Sequence, residues 1–348
     1  MREIKHILEE KIQHLHLLPR RFGIKKGKNI LFGPPKSGKT SLSLFISKTL
    51  KNTIYIDCID PRNDIDNLKN QILKSFLEKK IDLLILDNYK PIFILPNIEN
   101  ILIILNSKQI PSDDLQLQNF SLKSIMPLTF EEYIGFSNSS EDINQLFNRF
   151  IKDGNSPEML HSLEFQKISK KQNNMKLFFQ EDYDLFALLL QFQSQKITVN
   201  QFYTYSKRFL KVSKDKVYAL LTRLQNNHFI FLIPCADSIN KTKKLYFYDF
   251  SLPYAHSPNP NFQAIFENMV FLELYSQYQE QIFYSQNAHF CINETIFFAI
   301  PFPNQQNIDT ILKNNPYKKI IIIAINKIQK SQCQVIDFVS FALKEYVD

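Results

Sequence analysis

Residues 33–40 read Gly33-Pro34-Pro35-Lys36-Ser37-Gly38-Lys39-Thr40, a match to the pattern G-x-x-x-x-G-K-[ST] without a departure. These residue types at this spacing suit a bound phosphate chain. A tight loop wraps phosphates with backbone N–H groups, so side chains are excluded at Gly33 and Gly38. Lys39 brings a point charge to the β- and γ-phosphates, and Thr40 offers a hydroxyl to Mg2+. A helix begun after the loop aims its positive end at the anion. The flanks agree. The apolar run KNILF at 28–32 reads as a strand, and 41–50 reads as a helix with Leu42, Phe45 and Leu50 inward. With this chain's composition the pattern is expected by chance roughly 0.001 times. The stretch is therefore read as a P-loop. Gly33, Pro34, Pro35, Lys36, Ser37, Gly38, Lys39, Thr40 and Ser41 are expected to hold ATP or ADP.

Moving outward, 53–59 is a strand rich in β-branched and aromatic residues, and 64–80 is an amphipathic helix carrying Ile65, Leu68, Ile72, Phe76 and Leu77. The run 83–86 is a buried strand that ends in Asp87, and 101–105 is another that ends in Asn106. Strands alternating with helices predict an α/β fold with a parallel sheet covered on both faces. An acid closing an apolar strand suits an Mg2+ ligand, so Thr40 and Asp87 form the expected metal pair. The plain alternative for Asp87 is a helix N-cap or turn residue, and for Asn106 a turn-former. The catalytic set is Lys39, Asp87 and Asn106, the last orienting the attacking water. Asn88 follows Asp87 where a hydrolytic protein of this layout usually has Glu. An amide takes no proton from water, so weak or conditional hydrolysis is expected.

From about residue 110 the alternation stops. Residues 128–152 look helical and are closed by Asp153-Gly154, and the polar, Lys-rich stretch 161–180 reads as a linker. Helices follow at 182–193, 200–210 and 214–227, the last capped by Ser213 with Val217, Leu220, Leu221 and Leu224 inward. Strands at 229–234 and 244–249 flank a Lys-bearing turn, which completes a winged-helix pattern. Lys214, Lys216, Arg223, Asn226 and Asn227, with Lys241, Lys243 and Lys244 of the wing, are candidate phosphate contacts to duplex DNA. A helix at 264–279, strands at 290–301, 319–325 and 333–336 and a terminal helix end the chain.

The formal charge of +8 permits nucleic acid or an anionic membrane surface as a partner, and solubility plus an anionic nucleotide fits as well as nucleic acid does. Cys58, Cys235, Cys291 and Cys333 are scattered with no CxxC, which argues against a zinc site or disulfides and fits a reducing cytoplasm. Glu9, Glu10 and Lys11 break the apolar character expected of a signal peptide. Apolar runs such as 320–325 fall far below the ~18 residues of a membrane span, so no membrane partner is expected.

At this point the chain resembles the prokaryotic AAA-type ATPases that join an ATPase core, a winged helix and a restriction-endonuclease-like C-terminal domain. Six segments beyond the P-loop carry the resemblance. They are Ile56-Asp57 with Asp60-Pro61-Arg62, the strand 83–87, PLTFEEY at 127–133 (family "PLSFREF"), GNSPE at 154–158 (family "GGYPE"), KLYFYD at 244–249 and FENMVFLEL at 266–274. Without the family, Phe130 and Tyr133 read as helix core and Glu267 as a surface or capping residue. The resemblance implies a domain order of 1–160 for the core with its helical lid, a 161–180 linker, 181–252 for the winged helix and 253–348 for a small α+β domain. Two departures matter. One is Asn88. The other is the strand beginning at Glu294, where the family's "E-V-D-F" Asp is replaced by Ile296 and no E-x-K follows. A metal-dependent nuclease needs those acids, so the last domain is expected to be degenerate.

Two classes of function stay open. One is an Mg-dependent ATPase of low turnover, and the other a nucleotide-dependent switch holding DNA or a protein partner. Arg62 and Arg149 are the candidate arginine fingers, which leaves a homo-oligomer open, and 19–24 could flank the adenine.

Overall fold

The computed structural model describes residues 12, 17, 19–21, 23–91, 95–105, 117–137, 140–238, 242–316, 318–326 and 333–345. The expected first helix falls mostly outside them, and Asn106 and Lys241 fall wholly outside. The chain divides into two compact units, Met1–Met126 and Pro127–Asp348.

The first unit holds β1 (Lys28–Phe32), α1 (Lys39–Ser47), β2 (Thr53–Asp57), α2 (Ile65–Leu77), β3 (Leu83–Asp87), β4 (Ile101–Ile104) and β5 (Ser121–Ser124). The sheet is five-stranded in the order β2-β3-β4-β1-β5, with every pairing parallel. This is a mixed α/β unit consistent with a P-loop NTPase core. Apolar runs build it because both faces are covered. Ile30, Ile54, Ile56, Leu84, Leu86, Ile101 and Ile103 pack with Leu68 and Ile72 of α2. The alternate positions Leu31, Tyr55, Leu83, Ile85, Leu102 and Ile104 pack with Leu42 and Leu44 of α1. Period-2 alternation thus assigns each strand residue to one helix layer. Strand β5 (SLKS) went unseen in the sequence because it is polar, partly exposed and paired on one side only.

The second unit begins with α3 (Phe130–Phe136), α4 (Ile143–Asp153), α5 (Pro157–Leu160), α6 (Lys167–Phe179) and α7 (Tyr183–Leu189). Next come β6 (Lys196–Ile197), α8 (Val199–Ser206), α9 (Lys214–Asn226), β7 (Ile230–Ile233), β8 (Lys243–Phe247), α10 (Leu252–His256) and α11 (Phe262–Tyr278). It closes with β9 (Phe290–Ile292), β10 (Thr295–Ala299), α12 (Gln305–Asn314), β11 (Lys319–Ala324), β12 (Gln334–Asp337) and α13 (Phe338–Ala342). Strands β6, β8 and β7 form one antiparallel sheet, and β12-β11-β10-β9 another with only β9 antiparallel.

Two expected boundaries shift. Residues 127–160, assigned with the core from sequence, cluster with the second unit. The expected linker at 161–180 contains α6, which buries Lys167, Lys171, Met175 and Phe179. Their i, i+4 spacing is that of a packed helix face. The pattern reads as a linker because two of the four are lysines, buried only because carboxylates and a hydroxyl meet them.

Candidate functional site

Strand β1 ends at Phe32, and the chain turns sharply at Gly33, where φ is +139°. A Cβ there would lie 2.4 Å from the carbonyl oxygen of Ile125, so only glycine lets the segment leaving β5 rest on this turn. Gly38 caps α1 at φ 93° with no side-chain hydrogen bond, and the first turn carries no acid. Among the described residues no side chain caps the leading amides of α1, which leaves the positive end of the helix to an external anion. Arg20 braces the loop from outside, donating to the Ser37 carbonyl at 3.0 Å and to the Met126 carbonyl at 2.9 Å.

Lys39 is buried, and its Nζ donates to the carbonyls of Gly33 at 2.9 Å and Pro34 at 2.8 Å. Burial lowers its pKa to about 8, against the opposing pull of Asp87. Thr40 Oγ1 donates to Asp87 Oδ2 at 2.7 Å, and the Tyr55 hydroxyl donates to the same oxygen at 2.8 Å. The Asn88 backbone N–H donates to Asp87 Oδ1 at 2.9 Å. Burial and the nearby Asp87 charge push the Tyr55 hydroxyl well above its usual range, so it stays a donor. Hard cations take oxygen ligands, and the adjoining Thr40 hydroxyl and Asp87 carboxylate, facing the leading turn of α1, fit Mg2+. The structure thus brings Lys39, Thr40 and Asp87 together. Tyr55 was not read as functional. Its one signal is the alternation that puts Tyr55 and Asp57 on the face of β2 toward α1.

Asn88 adopts the left-handed region at φ 51°, which Asn tolerates better than most residues. Its Nδ2 donates to Asp57 Oδ1 at 2.9 Å. Asp57 and Asp87 are register partners at the ends of β2 and β3. Arg62 is exposed and pairs with Asp60 at 2.7 Å. In the second unit, Arg149 pairs with Glu141 at 2.5 Å.

Three other expectations in the second unit change. Lys244, read as a wing cation, is buried with its Nζ 2.5 Å from Glu267 Oε1. Asn227, read as lying off the apolar face of α9, is buried as well. Glu267, read as a surface or capping residue, is a buried acceptor that also takes the Tyr246 hydroxyl at 2.7 Å. Of the remaining helix cations, Arg223 and Lys216 both pair with Asp182, at 2.6 Å and 3.2 Å. Lys214, Asn226 and Lys243 are exposed.

Four of the segments that carry the family resemblance meet inside this unit. Thr129 and Glu132 form a capping box on α3. Leu128 N–H donates to the Asn155 carbonyl at 2.9 Å, and Phe130 N–H to Glu273 Oε1 at 2.6 Å. Asn155 Nδ2 donates to the Tyr248 carbonyl at 3.1 Å. A Cβ on Gly154 would lie 2.0 Å from Ser251 Oγ, so the turn of that segment packs against the end of KLYFYD. Phe130 and Tyr133 are fully buried, in keeping with a core role. Ile296 and Phe298 of β10 pack against Ile320 and Ile322 of β11. Among the described residues no group of three or more His, Cys, Asp or Glu is placed to hold a metal ion. No described helix is long and apolar enough to cross a membrane.

No family model matches the chain, and no curated protein matches it. Solved structures similar to it include AMPPCP-bound DnaA from Aquifex aeolicus, at 12% identity over 79% of this chain and 88% of that one, with a TM-score of 0.28. Drosophila ORC bound to AT-rich DNA and Cdc6 is similar at 14% identity over 78% of this chain and 92% of that one, with a TM-score of 0.22. Similarity this loose carries no argument about function.

Proposed function

We propose that the chain binds Mg-ATP at the loop between β1 and α1 and hydrolyses it slowly, so that its nucleotide state acts as a switch. One observation carries this: an uncapped helix start beside a buried Lys39, with the Thr40 hydroxyl 2.7 Å from Asp87. The amides and Lys39 would bind the phosphates, while Thr40 and Asp87 would hold Mg2+, which when bound offsets phosphate charge. Slow turnover follows from the amide at Asn88, which offers no carboxylate to the attacking water. Calorimetry with Mg-ATP checks the binding. Lys39→Ala is expected to weaken it on the order of 100-fold, the scale of a charge-assisted contact. Full affinity in that variant refutes the proposal.

The domain order is part of the same reading. The order α7, β6, α8, α9, β7, β8 supports a winged helix over 181–252, followed by a small α+β domain without a nuclease centre. Asp182 engages two basic residues of α9 and Glu267 holds Lys244, which favours a protein partner over duplex DNA for this surface. Fluorescence anisotropy with duplex DNA at low salt tests that preference. Binding that falls steeply with salt would reverse it.

A further inference from the structure

The turn that joins α8 to α9 in the second unit carries chemistry that nucleotide binding does not use. Residues 207–218 read KRFLKVSKDKVY, with Lys207, Arg208, Lys211, Lys214 and Lys216 set against the single acid Asp215. The turn is built, not loose. The N–H groups of Phe209 and Leu210 donate to the Ser206 carbonyl at 3.0 Å and 2.9 Å, and the Ser213 hydroxyl caps α9 by accepting from the Lys216 N–H at 3.1 Å. On this frame two aromatic rings face solvent, Phe209 at 60% exposure and Tyr218 at 62%. Phe209 is the outer end of a row of rings, its centroid 5.2 Å from Tyr205, which in turn lies 5.0 Å from Phe192. The row anchors Phe209 while leaving most of it uncovered. Cations surround it. Lys207 lies 5.4 Å from the centre of the Tyr203 ring, and Arg208, Lys211 and Lys214 are exposed, with no ion pair to a carboxylate among the described residues.

Helix α9 has two unlike flanks. Lys216 and Arg223, at i and i+7, share the flank whose cations pair with Asp182. Lys214 and Tyr218, at i and i+4, share the other, across the apolar stripe of Val217, Leu220, Leu221 and Leu224. A helix seated in a duplex groove meets phosphates along both flanks, and here one flank is already neutralised. In a duplex the base faces are also stacked on one another, so exposed rings find no partner there. An unpaired strand offers both its phosphates and its base faces.

We propose that the α8–α9 turn and the adjoining flank of α9 bind single-stranded nucleic acid. Phe209 and Tyr218 stack on bases, while Lys207, Arg208, Lys211 and Lys214 meet phosphates. Stacking accepts any base, so recognition tolerates sequence. The surface lies apart from the loop at Gly33 to Thr40 in the chain and needs no nucleotide to be occupied, so it stands or falls separately from ATP binding.

Fluorescence anisotropy of the full chain, without ATP, compares a labelled oligothymidylate of about 16 nucleotides with a duplex of the same length. The single strand is expected to bind more tightly at low salt. Phe209→Ala and Tyr218→Ala are each expected to weaken it roughly tenfold without changing the salt dependence, whereas Phe209→Tyr keeps a ring and stays within about twofold of wild type. Arg208→Ala and Lys211→Ala are each expected to reduce the slope of log affinity against log salt by about 0.7, the value for one phosphate contact on a single strand. Equal or tighter binding of the duplex overturns the proposal, as does oligothymidylate binding that neither aromatic variant weakens. No oligothymidylate binding at low salt also overturns it. Capture of a labelled peptide of alternating Glu and Phe in place of the oligonucleotide would make the surface a protein-docking face instead.

Discussion

Strands β3 (LLILD) and β12 (QVID) each run parallel to their neighbours and each end in aspartate, yet the two acids do different work. Asp337 turns back onto the helix that follows it, accepting from the Ser340 N–H at 2.9 Å and the Ser340 hydroxyl at 2.8 Å. It is a helix cap. Among the described residues that follow it, 88–91, Asp87 meets no helix. It is buried and gathers the Thr40 hydroxyl, the Tyr55 hydroxyl and the Asn88 N–H. Local sequence makes both acids good turn residues. What separates them is the neighbour across the sheet end. Beyond β3 lie the loop and helix start that follow β1, brought close because β4 alone separates the two strands. Crevices outside the carboxyl ends of parallel strands, where the connections diverge, are where α/β sheets bind ligands.

The sharpest way to break this contrast is Asp87→Asn beside Asp337→Ala. Asp87→Asn keeps an acceptor for Thr40 and Tyr55 but removes the charge expected to hold Mg2+. Phosphate release should fall on the order of 100-fold, with little change in melting temperature. Equal turnover in Asp87→Asn and wild type would make Asp87 a second structural acid. A further test lies in the buried acid of the other unit. Glu267→Ala leaves the Lys244 ammonium without its carboxylate, at 10% side-chain exposure, and should destabilise by about 3–5 kcal/mol in denaturant unfolding. Replacing both, as Lys244→Met with Glu267→Leu, should recover most of that loss, because the cost is the unpaired charge. Recovery that fails would mean the pair is needed as such. The smallest effect belongs to Asp337→Ala, where loss of a cap costs about 1 kcal/mol and leaves nucleotide affinity unchanged. A shift in ATP affinity there would erase the distinction between the two strand ends.

The core of the first unit was legible because its strands are short apolar runs between amphipathic helices. That arrangement admits few folds. The loop from Gly33 to Thr40 was legible for a different reason: its chemistry is local, contained in consecutive residues. Strand β5 was not legible, since SLKS has neither alternation nor an apolar run and is a strand only because β1 offers it an edge. Helix α6 was hidden by buried lysines, whose burial depends on partners distant in sequence, such as Ser251 for Lys171. Lys244 misled in the same way, because its partner Glu267 lies on α11.

The sequence by itself determined that a phosphate-binding turn stands between a strand and a helix, and that an acid closes a buried strand further on. Both follow from nearest-neighbour chemistry and from periodicity, which need no knowledge of distant contacts. Only the tertiary structure decided that this acid meets Thr40 and Tyr55, that Asp57 faces Asn88, and that Glu267 meets Lys244. Those outcomes depend on strand order and register. These are set by packing the whole sheet, because a one-residue slip or an exchanged neighbour would turn the same side chains to other partners.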